Sequence, residues 1–234
     1  METHRKNKEK LVTKVFQDVF DKYDLMNDIM SLGIHRIWKK NFIILLNPQK
    51  NTNLIDVASG TGDIAKLYLD KINHEGSVYC VDENKQMLNL SKKKLNQNNK
   101  VKWFCNNAEK LPFKSDFFDY YTISFGIRNV YNIDNVLKEA HRVLKPGGRF
   151  LCLEFSKIKN NFLNKFYKIY SKSIPQMGKV VVGKSEPYKY LVDSIENFYS
   201  QEEFLQQIKK QNFTNISYKN LSGGIVAIHS AWKV

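Results

Sequence analysis

Cysteine is scarce: the 234 residues hold three, Cys80, Cys105 and Cys152. Each lies in an apolar, strand-like run, and no spacing forms a metal knuckle or a C-x-x-C pair. This argues against a disulfide scaffold or a cysteine-ligated metal. The three are expected to be small buried hydrophobes in a reducing compartment. Long apolar runs are missing as well. None is long enough to cross a bilayer, and Met1 to Lys10 is charged, with no apolar signal-peptide core. The expected location is cytoplasmic, at most peripheral at an inner membrane. Acidic residues are in deficit: 23 Asp and Glu face 37 Lys and Arg, a net charge of +14. Such a charge attracts nucleic acid or an anionic membrane face. The lysines, however, read as scattered rather than gathered in one stripe, so the excess looks like compositional bias. Lys92-Lys93-Lys94 is expected on a solvated helix face. There is no internal repeat.

What is present is a chain long enough for a substantial core, with 42% hydrophobic and 13% aromatic residues. Apolar residues recur at helical spacing from Leu11 to Ser31, and a second helix is expected from about Arg36 to Leu46, ending at Asn47-Pro48. Strands are then predicted at Leu54–Ala58, Ser77–Val81, Val101–Cys105, Phe118–Ser124 and Arg149–Phe155. Helices fall between them, from about Asp63, around Met87 to Leu90, and from Ile133 to Leu144, where Lys145-Pro146-Gly147-Gly148 intervenes. Alternating strands and helices imply parallel pairing with right-handed crossovers, in a sheet covered on both faces. The alternation lapses from Ser156 to Tyr199. That segment reads as an aromatic helix (Phe162, Phe166, Tyr167, Tyr170), then as loop around Pro175, Gly178, Gly183 and Pro187. Ser200 and Glu203 form a capping-box pattern, and two closing strands follow at Phe213–Tyr218 and Ile225–Ala231. The expected organisation is one domain: a helical cap over 1–48, a ligand-binding core over 49–155, a substrate-side lid insertion over 156–199, and a closing helix and strands over 200–234.

Asp56-Val-Ala-Ser-Gly60-Thr61-Gly62-Asp63 joins a strand to a helix, and its glycines let the backbone approach a ligand closely. In an open parallel sheet, ligands bind at the carboxyl ends of the strands. Gly60-x-Gly62-x-x-Ala65 also satisfies a loose dinucleotide fingerprint, with Asp82 placed for a ribose hydroxyl. Charge separates the two ligands. A pyrophosphate needs a positive helix N-terminus, whereas Asp56 and Asp63 are two carboxylates, suited to the sulfonium and ammonium of S-adenosylmethionine. Asp82, after the strand ending at Val81, is placed to accept from both ribose hydroxyls. Asn107 and Ala108, after the third strand, are placed to read an adenine edge or to form an ordinary turn.

Several blocks are more particular. They are Tyr23-Asp-Leu-Met-Asn-Asp-Ile-Met-Ser-Leu-Gly33, Thr122-Ile-Ser-Phe-Gly-Ile-Arg-Asn-Val130, Arg142-Val-Leu-Lys-Pro-Gly-Gly-Arg-Phe-Leu-Cys-Leu-Glu-Phe-Ser156, Tyr188-Lys-Tyr-Leu-Val-Asp-Ser-Ile195 and Gly223-Gly-Ile-Val-Ala-Ile-His229. Together they closely resemble the ubiquinone/menaquinone biosynthesis C-methyltransferases, the UbiE-type family, over nearly the whole chain. The resemblance implies an α/β, Rossmann-like class I S-adenosylmethionine-dependent methyltransferase fold with a seven-stranded, mostly parallel sheet. It implies cofactor contacts at Thr61, Asp82, Asn107, Ala108 and Ser124, beside the Asp56, Gly60 and Gly62 already read from the loop. It implies methylation of a ring carbon of a polyprenyl benzoquinol, a demethylmenaquinol, or both. Ser59 departs from the pattern, since many members carry glycine there.

A quinol ring carbon becomes nucleophilic when a neighbouring phenol loses its proton, so the site needs a proton acceptor or a stabiliser of the phenolate. Arg128 and Asn129 lie where such groups belong. Arginine is a poor base, so phenolate stabilisation or a positioned water is the expected role. Tyr23, Asp24 and Asn27 are candidates for the acceptor pocket, and Phe162 to Tyr170 for the polyprenyl tail. His35, His141 and His229 are weaker candidates for a base. The expected partners are a polyprenyl quinol, a membrane surface and a quinone-biosynthesis assembly, without nucleic acid. Three rivals stand beside this reading: an RNA or other small-molecule methyltransferase on the same fold, a nicotinamide oxidoreductase, and a catalytically silent subunit. Amino-methylating RNA or DNA methyltransferases often carry Asn/Asp-Pro-Pro-aromatic after the fourth strand, where this chain has Ser-Phe-Gly-Ile-Arg-Asn.

Overall fold

The computed structural model describes residues 27, 28, 31, 33–183 and 185–234. Tyr23, Asp24 and most of the helix expected from Leu11 to Ser31 lie outside the described residues. Seven helices and seven strands are described: α1 (His35–Leu46), β1 (Thr52–Val57), α2 (Asp63–Lys71), β2 (Gly76–Asp82), α3 (Lys85–Lys94), β3 (Val101–Cys105), β4 (Phe118–Ser124), α4 (Ile133–Val143), β5 (Leu144–Phe155), α5 (Asn161–Val182), α6 (Glu186–Glu196), α7 (Gln201–Lys209), β6 (Thr214–Leu221) and β7 (Val226–Trp232). The strands form one sheet in the order β3-β2-β1-β4-β5-β7-β6. The first five pair in parallel, and β7 is antiparallel to both β5 and β6. The order reverses between β1 and β4, which opens the crevice where ligands of doubly wound sheets bind.

Each element follows from its residues. β1, β2 and β4 are almost continuously buried because helices cover both faces. α3 and α4 start where an asparagine caps them: Asn84 Oδ1 accepts from the amides of Gln86 and Met87, and Asn132 Oδ1 from that of Asn135. The Ser200–Glu203 capping box opens α7 as expected. At the start of β5, Leu144 pairs with Phe118 and Arg149 with Tyr120, so Lys145 to Gly148 bulge out of the ladder and the strand begins earlier than expected.

Two expectations need correction. The segment around Pro175 and Gly178 is not loop but the second half of α5, which runs unbroken to Val182. Gly178 is there for contact: a Cβ on it would lie 2.2 Å from the Tyr188 ring, where α5 crosses α6. Pro187 falls in the first turn of α6, where a missing N–H costs nothing. The cysteine reading holds for Cys80 and Cys152, but Cys105 is exposed, because β3 is a sheet edge. The basic run Lys92-Lys93-Lys94 is exposed on α3 as expected, and Lys94 also reaches across to Asp63.

Candidate active site

Parallel register brings the first polar pair together. Asp56 on β1 lies beside Thr122 on β4, and the Thr122 hydroxyl donates to Asp56 Oδ1 at 2.9 Å. Burial pushes the Asp56 carboxyl up to about 7, against the pull of Thr122 and Lys39. The chain then turns sharply. Ala58 after β1 and Phe125 after β4 both take positive φ, 52° and 56°, which non-glycine residues adopt at a cost. The two turns touch: a Cβ on Gly126 would fall 2.4 Å from the Ala58 Cβ. Between them lies a narrow cleft lined by Asn27, Lys39, Asp56, Ala58, Ser59, Gly60, Thr61, Asp63, Ile64, Ser124 and Phe125.

Of the residues expected to contact the cofactor, Asp56, Gly60, Thr61 and Ser124 line this cleft, and so does Asn27. Asp82 stands one strand away and is tied to the loop. Its Oδ2 accepts from the Gly60 amide at 2.9 Å and its Oδ1 from the Asn84 amide at 2.8 Å. Burial raises its pKa against those two bonds. Gly62 starts α2 with φ 83°, and a Cβ on it would meet Ser91 Oγ at 2.5 Å. Asn107 and Ala108 follow β3, whose Cys105 is the register partner of Asp82. Asn107 Oδ1 holds the turn by accepting from the Glu109 amide at 2.6 Å.

The cleft has vacant hydrogen-bonding capacity. Asp56 Oδ2 and Ser124 Oγ are buried without a hydrogen-bond partner among the described residues. Orphaned buried acceptors and hydroxyls are costly, so the donor set fits a polar, cationic ligand at this point. Asp63, however, is not a free carboxylate. Asp63 is compensated by Lys39 at 2.7 Å and Lys94 at 2.5 Å. Burial works to raise its pKa, and the two lysines overcome this and hold the carboxyl well below the usual range. The carboxylate turned toward the cleft with capacity to spare is Asp56.

On the other side of Phe125 the chain forms a short 3-10 turn, Ile127–Asn129. Arg128 points into the protein with 6% of its side chain exposed. Its Nη1 donates to Glu154 Oε1 at 2.8 Å and to the Phe125 carbonyl at 2.7 Å, and its Nε to Ser194 Oγ at 3.3 Å. Its guanidinium lies 5.5 Å from the Phe155 ring centre. Tyr190 on α6 donates to Asn129 Oδ1 at 3.2 Å. Burial pushes the Tyr167 hydroxyl up to about 12, against the pull of the nearby Arg128 charge. Trp38, Phe125 and Phe155 form an aromatic cluster with ring centres 5.1 to 6.2 Å apart.

A second cavity, of about 320 Å3, lies beneath α5 and α6, with Ile158, Tyr167, Ile174, Leu191, Val192 and Ile195 among its lining. Tyr167 thus links the expected tail-binding segment to this cavity, while Phe162 faces outward, 73% exposed. His229 is fixed in the core, with Nε2 bonded to the Gln201 carbonyl at 2.9 Å, and burial holds its pKa down at about 4. His141 packs edge-on against Phe213, and His35 pairs with Asp28 at 3.0 Å. Lys39, Glu154, Tyr190 and Ser194 were not foreseen. Glu154 had a signal: a lone acid in an apolar strand must have a partner.

Solved structures share this architecture. An S-adenosylmethionine-dependent methyltransferase of Thermotoga maritima superposes with a TM-score of 0.66 at 20% identity, over 94% of this chain and 99% of that one. The Haemonchus contortus phosphoethanolamine N-methyltransferase 2, solved with S-adenosylhomocysteine, superposes with a TM-score of 0.63 at 14% identity, over 84% of this chain and 52% of its own. The fold is that of the class I S-adenosylmethionine-dependent methyltransferases. The profile of the ubiE/COQ5 methyltransferase family matches residues 3–233, and the chain belongs to that family. The ubiquinone/menaquinone biosynthesis C-methyltransferase of Rickettsia prowazekii (strain Madrid E) is 53% identical over 97% of this chain and 94% of its own length. Its counterpart in Rickettsia bellii (strain OSU 85-389) is 54% identical over the same shares. The protein is therefore an S-adenosylmethionine-dependent methyltransferase, and the RNA, nicotinamide and silent-subunit readings fall away as leading explanations.

Proposed function

We propose that the acceptor is a polyprenyl quinol, a benzoquinol of the ubiquinone pathway, a demethylmenaquinol, or both, methylated on a ring carbon. The observation that carries this reading is the cavity beneath α5 and α6, with an apolar side of Ile158, Ile174, Leu191, Val192 and Ile195 and a polar rim that includes Lys157, Asn164 and Glu196, which reaches the Arg128 neighbourhood through Tyr167. A ring held near Phe125 and a tail led under α5 fit that shape. The 52–54% identity to quinone-biosynthesis relatives supports the same class of acceptor.

S-adenosylmethionine supplies an electrophilic methyl group, and the protein's task is alignment. Asp56, Gly60, Thr61, Gly62, Ser124 and Asp82 hold the donor, with Asn107 and Ala108 at its adenine end. Arg128 stabilises the phenolate that develops on the acceptor. Glu154, Phe125 and Ser194 engage its Nη1 and Nε, and Nη2, with no hydrogen bond to a described residue, is the nitrogen assigned to the acceptor. Asn129, oriented by Tyr190, is the second acceptor-side group, and Asn27 stands at the cleft between the two turns. An acceptor with a long tail also calls for contact with the membrane that stores it and with neighbouring enzymes of the same synthesis.

The test is kinetics with a short-tailed quinol, alongside mass spectrometry of the quinones in cells lacking the protein. Arg128→Ala is expected to lower turnover about 10²–10³-fold with cofactor affinity retained, and Arg128→Lys to restore part of it. Normal quinones in the deleted cells would overturn the acceptor assignment.

A further inference from the structure

The chain from Ser156 to Ser185 holds seven lysines and no acidic residue, half of the protein's net charge in an eighth of its length. The fold gathers part of it on one face. α5 has 22 residues and is therefore about 33 Å long. Lys165, Lys172 and Lys179 recur every seven residues and are all exposed, so they form one row along the helix. Beside that row runs an apolar edge: Phe162 is 73% exposed, Ile169 63% and Val180 85%. The opposite side of the helix carries Tyr167, Ser171, Ile174 and Gly178, turned toward α6 and the cavity. Three lysines that read as scattered in the sequence are thus aligned on the outside of the helix that roofs the cavity.

We infer that this outward face of α5 docks on an anionic lipid surface. The inference rests on the polyprenyl acceptor proposed above, because it places the cavity roof against the phase that dissolves such a tail. Its own support is the face itself. A row of lysines beside exposed Phe, Ile and Val side chains is the pattern of a helix lying in the plane of a membrane interface, with ammonium groups at the headgroups and apolar groups just below them. A second copy of the chain is a poor occupant, since two such faces bring six lysines together. A phosphate backbone would satisfy the lysines and leave three large apolar side chains in water.

Vesicle sedimentation of the full chain tests this. Vesicles of phosphatidylcholine with about one-third phosphatidylglycerol are compared with vesicles of phosphatidylcholine alone. Binding is expected to the anionic vesicles only, and to weaken with salt. The triple variant K165Q/K172Q/K179Q is expected to lower the partition coefficient on the order of a hundredfold, at about fivefold per lysine. I169S/V180S is expected to lower it roughly tenfold, with the loss persisting at high salt. Both variants should keep the melting temperature and the turnover on a short-tailed, water-soluble quinol. Equal binding to both vesicles, or unchanged binding by the triple variant, overturns the inference. So does a dimer, or an RNA complex, that the same substitutions abolish while vesicle binding is absent. Failure of the wild type to methylate the short quinol would strike the acceptor reading instead and leave the vesicle result standing.

Discussion

Two charge clusters stand at the carboxyl ends of neighbouring strands, and burial sets them apart. Beside the cofactor cleft, Lys39, Asp63 and Lys94 keep 11%, 25% and 33% of their side chains in solvent. Beyond β4, Arg128 and Glu154 keep 6% and 2%. The first cluster can readjust, because water takes up whatever charge a missing partner leaves. The second is sealed, and its two charges depend on each other. A sealed pair holds an arginine rigidly, as the role proposed for Arg128 requires. Its cost is that any change in Glu154 becomes a change in the fold.

The largest effect should therefore come from Glu154→Ala, which leaves the Arg128 cation buried and uncompensated. A loss of about 3–5 kcal/mol is expected in urea unfolding, and Arg128→Met combined with Glu154→Leu should recover much of it. If the single variant is as stable as the wild type, the pair is not sealed and the contrast fails.

On the cofactor side, Asp56 sharpens the comparison through pH. Its carboxyl has an ordinary value of 3.8 and stands at about 7 in the fold. Between those values the folded state holds a proton that the unfolded chain has released, so stability falls as pH rises through the window and levels off above it. The total fall across the window amounts to roughly 4 kcal/mol, and Asp56→Asn should remove it. Urea titrations at about pH 4.5 and about pH 7.5 would show this as a difference between wild type and variant. Equal slopes would mean that Asp56 is ionised throughout.

Asp82→Ala should weaken S-adenosylmethionine binding by about 1–3 kcal/mol in calorimetry, through lost charge-assisted bonds and a loosened Gly60. Unchanged affinity would place Asp82 outside the site. The smallest effect is expected from Lys94→Ala. Lys39 remains on Asp63, and a partly exposed pair contributes less than about 1 kcal/mol. A larger loss would show that the charges at the cleft rim depend on one another as strongly as the buried pair does.

The strands were legible because a sheet covered on both faces needs unbroken apolar runs, and β2 and β4 fall where those runs do. The glycine loop was legible because its turn and its carboxylates are local. What escaped depends on contacts between distant segments. Gly178 and Pro175 read as helix breakers until Tyr188 is seen packed against the glycine. Asp63 reads as a free carboxylate until lysines 24 and 31 residues away close on it. Lys165, Lys172 and Lys179 look scattered until the helix is known to continue through the proline and align them. Sequence spacing conveys periodicity within an element but not which elements touch, and the unforeseen residues Lys39, Glu154, Tyr190 and Ser194 all act across such contacts.

β6 closes one side of the sheet, and no described strand pairs with its outer edge. An open edge of this kind is a template for aggregation in a crowded cell. The register shift between Thr214 and Ser217 breaks its regularity, and Asn215, Lys219 and Asn220 stand exposed along it. A bulge and a charge make a strand a poor partner for its own copies. Monodispersity should thus reside in these few residues, and a version of β6 with the shift removed and Lys219 replaced by valine would be expected to assemble edge to edge while its active site stayed intact.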